Sequence, residues 1–362
     1  MKTLRFIGMA LTAIILTIGF TACSSDDEPV PGPVTSNLWK AYNSGTGKYG
    51  YINENGDFII QAQYDGVGNF SCGLALVQTG EKYYFIDTTG KMINSAGFDE
   101  ARDFHNNYAR VKKDNVWGLI DRSGNFVIQP TYYRLGDVAA NGLLSFKLQS
   151  GGKECFINTK NERVINPEYN DVTDFNNGVA CVEIGDKMGA INAEGKWVIQ
   201  PIYRDLEPIT GKDLVIFKEN TSGSNTSLRG IMDHNGNIKV QALYKEIDDD
   251  ETGNGILMTK NLSDKYGFID INGNTVIPFN YDYAIDFSGD YTAVATKKND
   301  SSYGYNNYSI IDRSGNILFI LGDGESLVEV YNGLILTKKY EDGKYTYTYR
   351  NKENKIIFTW TE

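Results

Sequence analysis

Histidine is almost absent from this 362-residue chain: there are two, His105 and His234. That leaves little for a His-based triad or a His-rich metal site, and no GxSxG segment accompanies them. Cysteine is scarce too, at positions 23, 72, 155 and 181 with no CxxC spacing, which excludes a zinc ribbon or finger. Apart from Cys23, the cysteines read as small buried hydrophobes, with a Cys155–Cys181 disulfide as the alternative in an oxidising compartment. Basic residues are outnumbered. Lys and Arg total 35 against 46 Asp and Glu, a net charge of −11, so no nucleic-acid partner is expected. The longest apolar run, Phe6–Phe20, is shorter than the roughly 20 residues a membrane-crossing helix needs.

That run follows Lys2 and Arg5 and ends at the small residues Thr21 and Ala22, the layout of a secretory signal peptide. The sequence around Cys23 resembles the lipobox of bacterial lipoproteins, with Phe20 and Thr21 in two of its places. The resemblance implies cleavage before Cys23 and lipidation there. Without residues 1–22 the chain has 33 basic and 46 acidic residues, a net charge of −13. Residues 23–36 are acidic (Asp26, Asp27, Glu28) and then proline-rich (Pro29, Pro31, Pro33), the composition of an extended tether. An acidic cluster after a lipidated cysteine resembles an export signal to the outside of the outer membrane, so cell-surface anchoring is expected, with the periplasmic face as the alternative.

What is abundant is tyrosine (24), phenylalanine (17) and glycine (38), a composition that points to an all-β domain over residues 37–362. Its grammar is a repeat. In Lys265–Pro278, KYGFIDINGNTVIP, alternation marks a strand, Asp270 to Gly273 a tight turn, and Thr275–Ile277 the returning strand. About nine such units follow one another, with turn positions at Gly56, Gly90, Gly124, Asn161, Gly195, Gly236, Gly273, Gly315 and Asn354. Asparagine tolerates the left-handed conformation, so Asn161 and Asn354 support the reading of a real turn.

The pattern resembles the bacterial WG-repeat family, whose consensus runs close to WGxIDxxGxxVIxPxYD. Trp117-Gly118-Leu119-Ile120-Asp121 is the literal copy; Tyr49-Gly50, Met188-Gly189, Arg229-Gly230 and Tyr266-Gly267 keep the glycine, and Tyr84, Cys155, Ser309 and Thr348 lose it. The resemblance implies an extracytoplasmic or interaction role and says little of chemistry. Three strands per unit plus the connector after Pro-x-Tyr make three-to-four-stranded antiparallel repeats, expected as a β-propeller, with an open β-superhelix as the alternative.

Candidate chemistry is thin. Asp87, Asp121, Asp233, Asp270 and Asp312 recur, but Asn replaces them at 53, 158, 192 and 351, which fits a turn role and not a metal ligand or an acid. The turns DHNGN (233–237) and DINGN (270–274) place glycine fourth, where a calcium loop needs it sixth. No catalytic residue, metal or cofactor is assigned. Off-pattern Tyr133, Tyr283, Tyr303 and Tyr305 are the surface aromatics to watch. The expectation is a non-enzymatic binding or scaffolding lipoprotein for protein or glycan ligands, with two alternatives: a glycan hydrolase using paired carboxylates, or a purely structural envelope protein.

Overall fold

Alternating β-branched and aromatic residues, cut every few positions by Asx-Gly turns, leave the chain no helical face, and in the computed structural model the described residues form strands alone. The structure describes residues 37–220, 227–249, 254–297 and 307–362. The signal segment, Cys23 and the tether lie outside them, as do Tyr303 and Tyr305.

The strands form nine small antiparallel sheets arranged as a ring, a nine-bladed β-propeller. The blades occupy residues 39–64, 66–87, 100–132, 134–169, 171–203, 206–244, 246–281, 283–320 and 325–361, numbered here 1 to 9. Blades 3 to 9 each have four strands in sequential order. The connector after Pro-x-Tyr opens the next blade. After Tyr132, Arg134–Leu135 becomes the first strand of blade 4 and pairs with Leu143–Lys147. Blades 1 and 2 have three strands. Blade 1 has no first strand among the described residues, and in blade 2 the returning segment at 91–98 is reduced to bridges at Met92 and Phe98.

The turn grammar is fully local. At Asp121 the carboxylate oxygen Oδ1 accepts the N–H groups of Ser123 and Asn125, both at 2.9 Å, and the Asn and Asp residues at its counterpart positions use Oδ1 likewise. The nine turn positions named above all have φ between 62° and 86°, a region costly for most side chains and open to Gly and Asn.

The glycine of Trp-Gly answers a different demand. A Cβ on Gly50, Gly118, Gly189, Gly230 or Gly267 would lie within 2.7 Å of the carbonyl oxygen of Ile60, Ile128, Ile199, Val240 or Ile277 on the fourth strand. That strand carries two extra residues there. Tyr51 pairs with Ile60 but Tyr49 with Tyr64, and the same offset recurs in blades 3 to 7. The bulge pushes the backbone onto the neighbouring strand, and only glycine leaves room. Blades 8 and 9, with Ser309 and Thr348 in its place, lack this second offset. Blade 4 keeps it over Cys155.

Apolar clusters fill the seams between blades. One unites Phe156, Ile165 and Tyr169 of blade 4 with Val172, Phe175, Val182 and Ile191 of blade 5. Another unites Trp39, Ala41 and Ile52 of blade 1 with Leu336, Tyr349 and Trp360 of blade 9, which closes the ring. Among the described residues no strand is exchanged across that closing seam: blade 1 pairs only within 39–64 and blade 9 only within 325–361.

Candidate functional site

The first strands of the blades converge on the ring's inner side, and what stands at their ends faces a shared space. The repeat places Asn69, Asp103, Asp137, Asp174, Asp286 and Glu329 immediately before the buried residues Phe70, Phe104, Val138, Phe175, Phe287 and Val330. Asp249 occupies the matching place in blade 7. A row of carboxylates thus lines the inner mouth of the ring.

Several of these groups join one blade to the next. Asp174 accepts the Asp137 N–H of the preceding blade (3.1 Å) and the Ser145 hydroxyl (3.2 Å). Asp249 accepts the Thr210 N–H at 2.7 Å. Asp137 binds the Arg110 guanidinium through both oxygens, at 2.6 and 2.8 Å, while the same guanidinium donates to the Leu135 carbonyl. Glu329 accepts Lys40 of blade 1 at 3.1 Å and the Asn69 amide of blade 2 at 3.3 Å.

A second tier of clasps runs alongside. Ser71, Asn106, Asn176 and Ser288 each donate from one blade to the Phe104, Val138, Ile209 or Val330 carbonyl of the next, at 2.6 to 2.9 Å.

Burial shapes the acids. Asp174 is enclosed, and desolvation pushes its carboxyl above the ordinary carboxylate range although the Asp137 N–H pulls the other way. Asp103 is open to solvent yet surrounded by protein on the inner surface; the desolvation raises its carboxyl, against the attraction of Lys40 and Arg102. Both are on-pattern residues that recur from blade to blade. Among the described residues, no three His, Cys, Asp or Glu side chains are grouped to hold a metal ion.

The histidines stay apart, His105 in blade 3 and His234 in blade 6. His105 is an exposed turn residue whose backbone pairs with Tyr108. His234 lines a cavity of about 570 Å³ between blades 6 and 7, with Lys212, Asp213, Asp233, Lys239 and Ile271. Burial lowers its imidazole below the ordinary histidine value, and no serine lines the cavity, so no Ser-His-Asp arrangement forms there.

The aromatics are chiefly packing. Trp117 receives Lys112 and Arg102 over its ring at 5.6 and 5.9 Å, and Lys112 is held by Glu100 at 2.7 Å. Trp39 and Trp360 are buried, and Trp197 meets Tyr169 edge-on. Tyr133 is exposed, whereas Tyr283 packs against Tyr308. Cys155 and Cys181 are buried free thiols in blades 4 and 5, so the alternative of a disulfide between them is not realised.

Sequence reading passed over the inner carboxylates because attention went to the turn aspartates. Their signal was present as a recurrent acid-apolar pair, Asp-Phe, Asp-Val or Glu-Val. It also passed over a clamp between Lys and the Asp that follows Pro-x-Tyr. Lys265 meets Asp282 at 2.7 Å, and the other oxygen of Asp282 accepts the Lys297 N–H of the next blade at 2.9 Å. Lys48–Asp65 and Lys82–Asp99 repeat the pairing at the same 17-residue spacing.

Among solved structures, the chain is similar in fold to the computationally designed Ika8 protein, at 11% identity and a TM-score of 0.44, covering 82% of this chain and 95% of that one. It is also similar to BamB from Moraxella catarrhalis (10% identity, 71% and 86% covered, TM-score 0.41). A third likeness is to Hsv2 from Kluyvelomyces marxianus (10% identity, 67% and 89% covered, TM-score 0.39). No curated protein sequence matches the chain. The sequence profile of the WG containing repeat matches residues 49–83, 85–117, 117–151, 156–187, 188–220 and 266–299, more than half of the chain. With the bulge and its glycine accounted for blade by blade, the chain belongs to the WG containing repeat family.

Proposed function

We propose that this protein is a non-enzymatic binding and scaffolding module of the cell envelope, anchored by lipid on Cys23 and offering one face of its ring to a protein ligand. The observation that carries the reading is the use made of its polar groups. Asp137, Asp174, Asp249 and Glu329 clasp one blade to the next, which stiffens the ring, while apolar side chains stand exposed at the tips. Leu148, Ile184, Leu262 and Tyr340 lie at the hairpins between second and third strands of blades 4, 5, 7 and 9, with Leu148 65%, Leu262 58% and Tyr340 61% exposed. Hairpins of one kind open on one face of a propeller, so these side chains share a surface of the sort that partners cover.

Photo-crosslinking residues placed at Leu148, Ile184 and Leu262 of the full chain test the reading in cells. A common protein adduct at these positions, absent from a control at Gln61 on an outer strand, is the expected result. No adduct from any of them would leave the structural role instead. A glycan-array signal abolished by Tyr340→Ala would assign the same face to sugar. Cys23→Ala should move the protein out of the membrane fraction.

A further inference from the structure

The hairpin of blade 9 reaches farther than that of the blade it closes on. Its second and third strands, Leu334–Glu341 and Lys344–Arg350, stay paired out to Glu341–Lys344. Blade 1 stops pairing at Asn43–Lys48, the counterpart of Lys339–Thr346, so two pairs of blade 9 overhang it. The family match ends at residue 299, and this hairpin lies wholly beyond it.

Alternation along the strands puts one set of side chains on the face toward blade 1. Across the sheet they stand in rows: Leu336, Tyr349 and Phe358, then Lys338, Tyr347 and Trp360, then Tyr340 and Tyr345 on the overhang. The first row and Trp360 pack into the seam with blade 1. The last row has no blade over it, and Tyr340 is 61% and Tyr345 43% exposed. Tyr345 lies 4.8 Å from Tyr340 and 6.2 Å from Tyr347, ring centre to ring centre. Tyr347 in turn stacks on the buried Trp360 at 5.1 Å, with 8° between the planes, which anchors the exposed rings from the seam side.

Two charged groups flank these rings. The Lys338 ammonium stands 5.6 Å from the centre of the Tyr345 ring. Glu362 pairs with Tyr345 through two backbone hydrogen bonds, and its Oε1 accepts the Trp360 indole N–H at 3.1 Å and the Tyr49 hydroxyl of blade 1. Charge around the overhang balances, with Lys338, Lys339 and Lys344 against Glu341, Asp342 and Glu362, although the chain as a whole stands at −11.

This surface differs from the tips of blades 4, 5 and 7, which expose the aliphatic Leu148, Ile184 and Leu262. Here the exposed apolar area is ring face, each ring carries a hydroxyl, and an ammonium and a carboxylate stand at its rim. A pyranose complements it: its C–H bonds form an apolar, partly positive face suited to the negative face of an aromatic ring, and its hydroxyls meet the rim. Balanced charge gives an acidic sugar no advantage. We propose that the overhang of blade 9, centred on Tyr340 and Tyr345, binds a neutral polysaccharide, with Lys338 donating to sugar hydroxyls and Glu362 accepting from them. This ligand is additional to the protein partner at the tips of blades 4, 5 and 7.

Binding of the labelled full chain, in detergent, to printed glucans, mannans and xylans beside polyuronates tests this. The expected result is saturable binding to at least one neutral polymer and none to the polyuronates. Tyr340→Ala and Tyr345→Ala should each weaken it about tenfold. Tyr345→Phe keeps the ring and should bind within about threefold of the wild type. Tyr345→Leu keeps apolar area without the ring face and should lose binding as Tyr345→Ala does. Both tyrosines are exposed, so these variants leave the buried seam intact; Tyr133→Ala, at an exposed tyrosine between blades 3 and 4, should bind like the wild type. The proposal is overturned if no neutral polymer binds, if polyuronates bind equally well, or if the signal survives both alanine variants. Wild-type binding by Tyr345→Leu also overturns it, since any apolar contact would then serve. Crosslinks from Leu148, Ile184 and Leu262 are read separately, so the protein-binding reading and this one can fail independently.

Discussion

The hydroxyl of Tyr331 donates to the carbonyl of Phe70 at 2.7 Å, joining blade 9 to blade 2 although blade 1 lies between them in the ring. Phe70 is the counterpart of Phe104, Val138 and Val330, whose carbonyls accept from the blade directly before them. Blade 1 has no first strand among the described residues, so its neighbours meet across the gap. Among those residues eight first strands form the inner circle while nine blades form the outer one. Blade 1 compensates with Trp39, whose indole N–H donates to the Tyr331 carbonyl at 2.7 Å, and with Lys40 on Glu329.

Tyr331→Phe should cost about 1–2 kcal/mol, because it leaves a buried carbonyl unpaired. Burial holds the Tyr331 hydroxyl up at about 12, so it remains a donor across the ordinary pH range. Hydrogen exchange should show faster opening around Phe70 and in blades 1 and 9 than in blades 4 to 6. Uniform acceleration would mean that the bond does not hold the seam.

Gly118→Ala and Gly189→Ala should each destabilise the ring by about 2 kcal/mol or more, since the added methyl meets backbone at 2.7 and 2.6 Å. The reverse change in a blade without the bulge, Thr348→Gly, should lose about 1 kcal/mol through chain entropy and more through its buried side chain, whose hydroxyl accepts from Thr359 at 3.4 Å. Denaturant midpoints at constant slope would separate the two classes.

Asp282→Asn breaks the clamp between Lys265 and the Lys297 N–H and should cost about 1 kcal/mol at neutral pH. The Lys265 hydrogen bond, ahead of the backbone one, holds the Asp282 carboxyl below its ordinary range. A lowered carboxyl stabilises the fold fully above its unfolded value of about 4 and loses that contribution as pH falls through the folded value. The wild type and the variant should therefore converge in stability only in acid, well below pH 4. Convergence already near neutrality would contradict the clamp.

Cys181 should resist alkylation by iodoacetamide at mild alkaline pH, because burial pushes its thiol up to about 12 and solvent does not reach it. Labelling should appear only with unfolding, and mass spectrometry of the peptide reads it directly. Rapid labelling of the native protein would mean that blade 5 opens locally.

Local features were the legible ones. An Asp or Asn four residues before its acceptor partner, with Gly or Asn at the turn, closes on itself whatever surrounds it, so nine turns could be read off the chain. The clasps were not legible in that way. Asn106 and Val138, or Thr210 and Asp249, are neighbours only once a ring brings successive blades to a common axis. The segment KMIN at 91–94 reads as a returning strand, but Ser95-Ala96-Gly97 stand where other units carry the residues of the bulge, and only Met92 and Phe98 pair. The missing first strand of blade 1 left no trace in the repeat count, because the count follows turns and blade 1 has its own at Gly56. Loss of the Trp-Gly glycine was visible at Ser309 and Thr348, yet its meaning needed the register of the strand beside it.

The closing seam has a mechanical consequence. Blades 9 and 1 are joined by side chains, with no backbone ladder between them among the described residues. The chain enters the ring through Trp39–Asn43, which is itself half of that seam. Tension applied to the N-terminal end is thus delivered to the one seam between neighbouring blades that no chain linker crosses. A pull would peel Trp39 and Lys40 from blade 9 before it could shear any sheet, and blade 1 would unzip from the ring while Tyr331 still held Phe70.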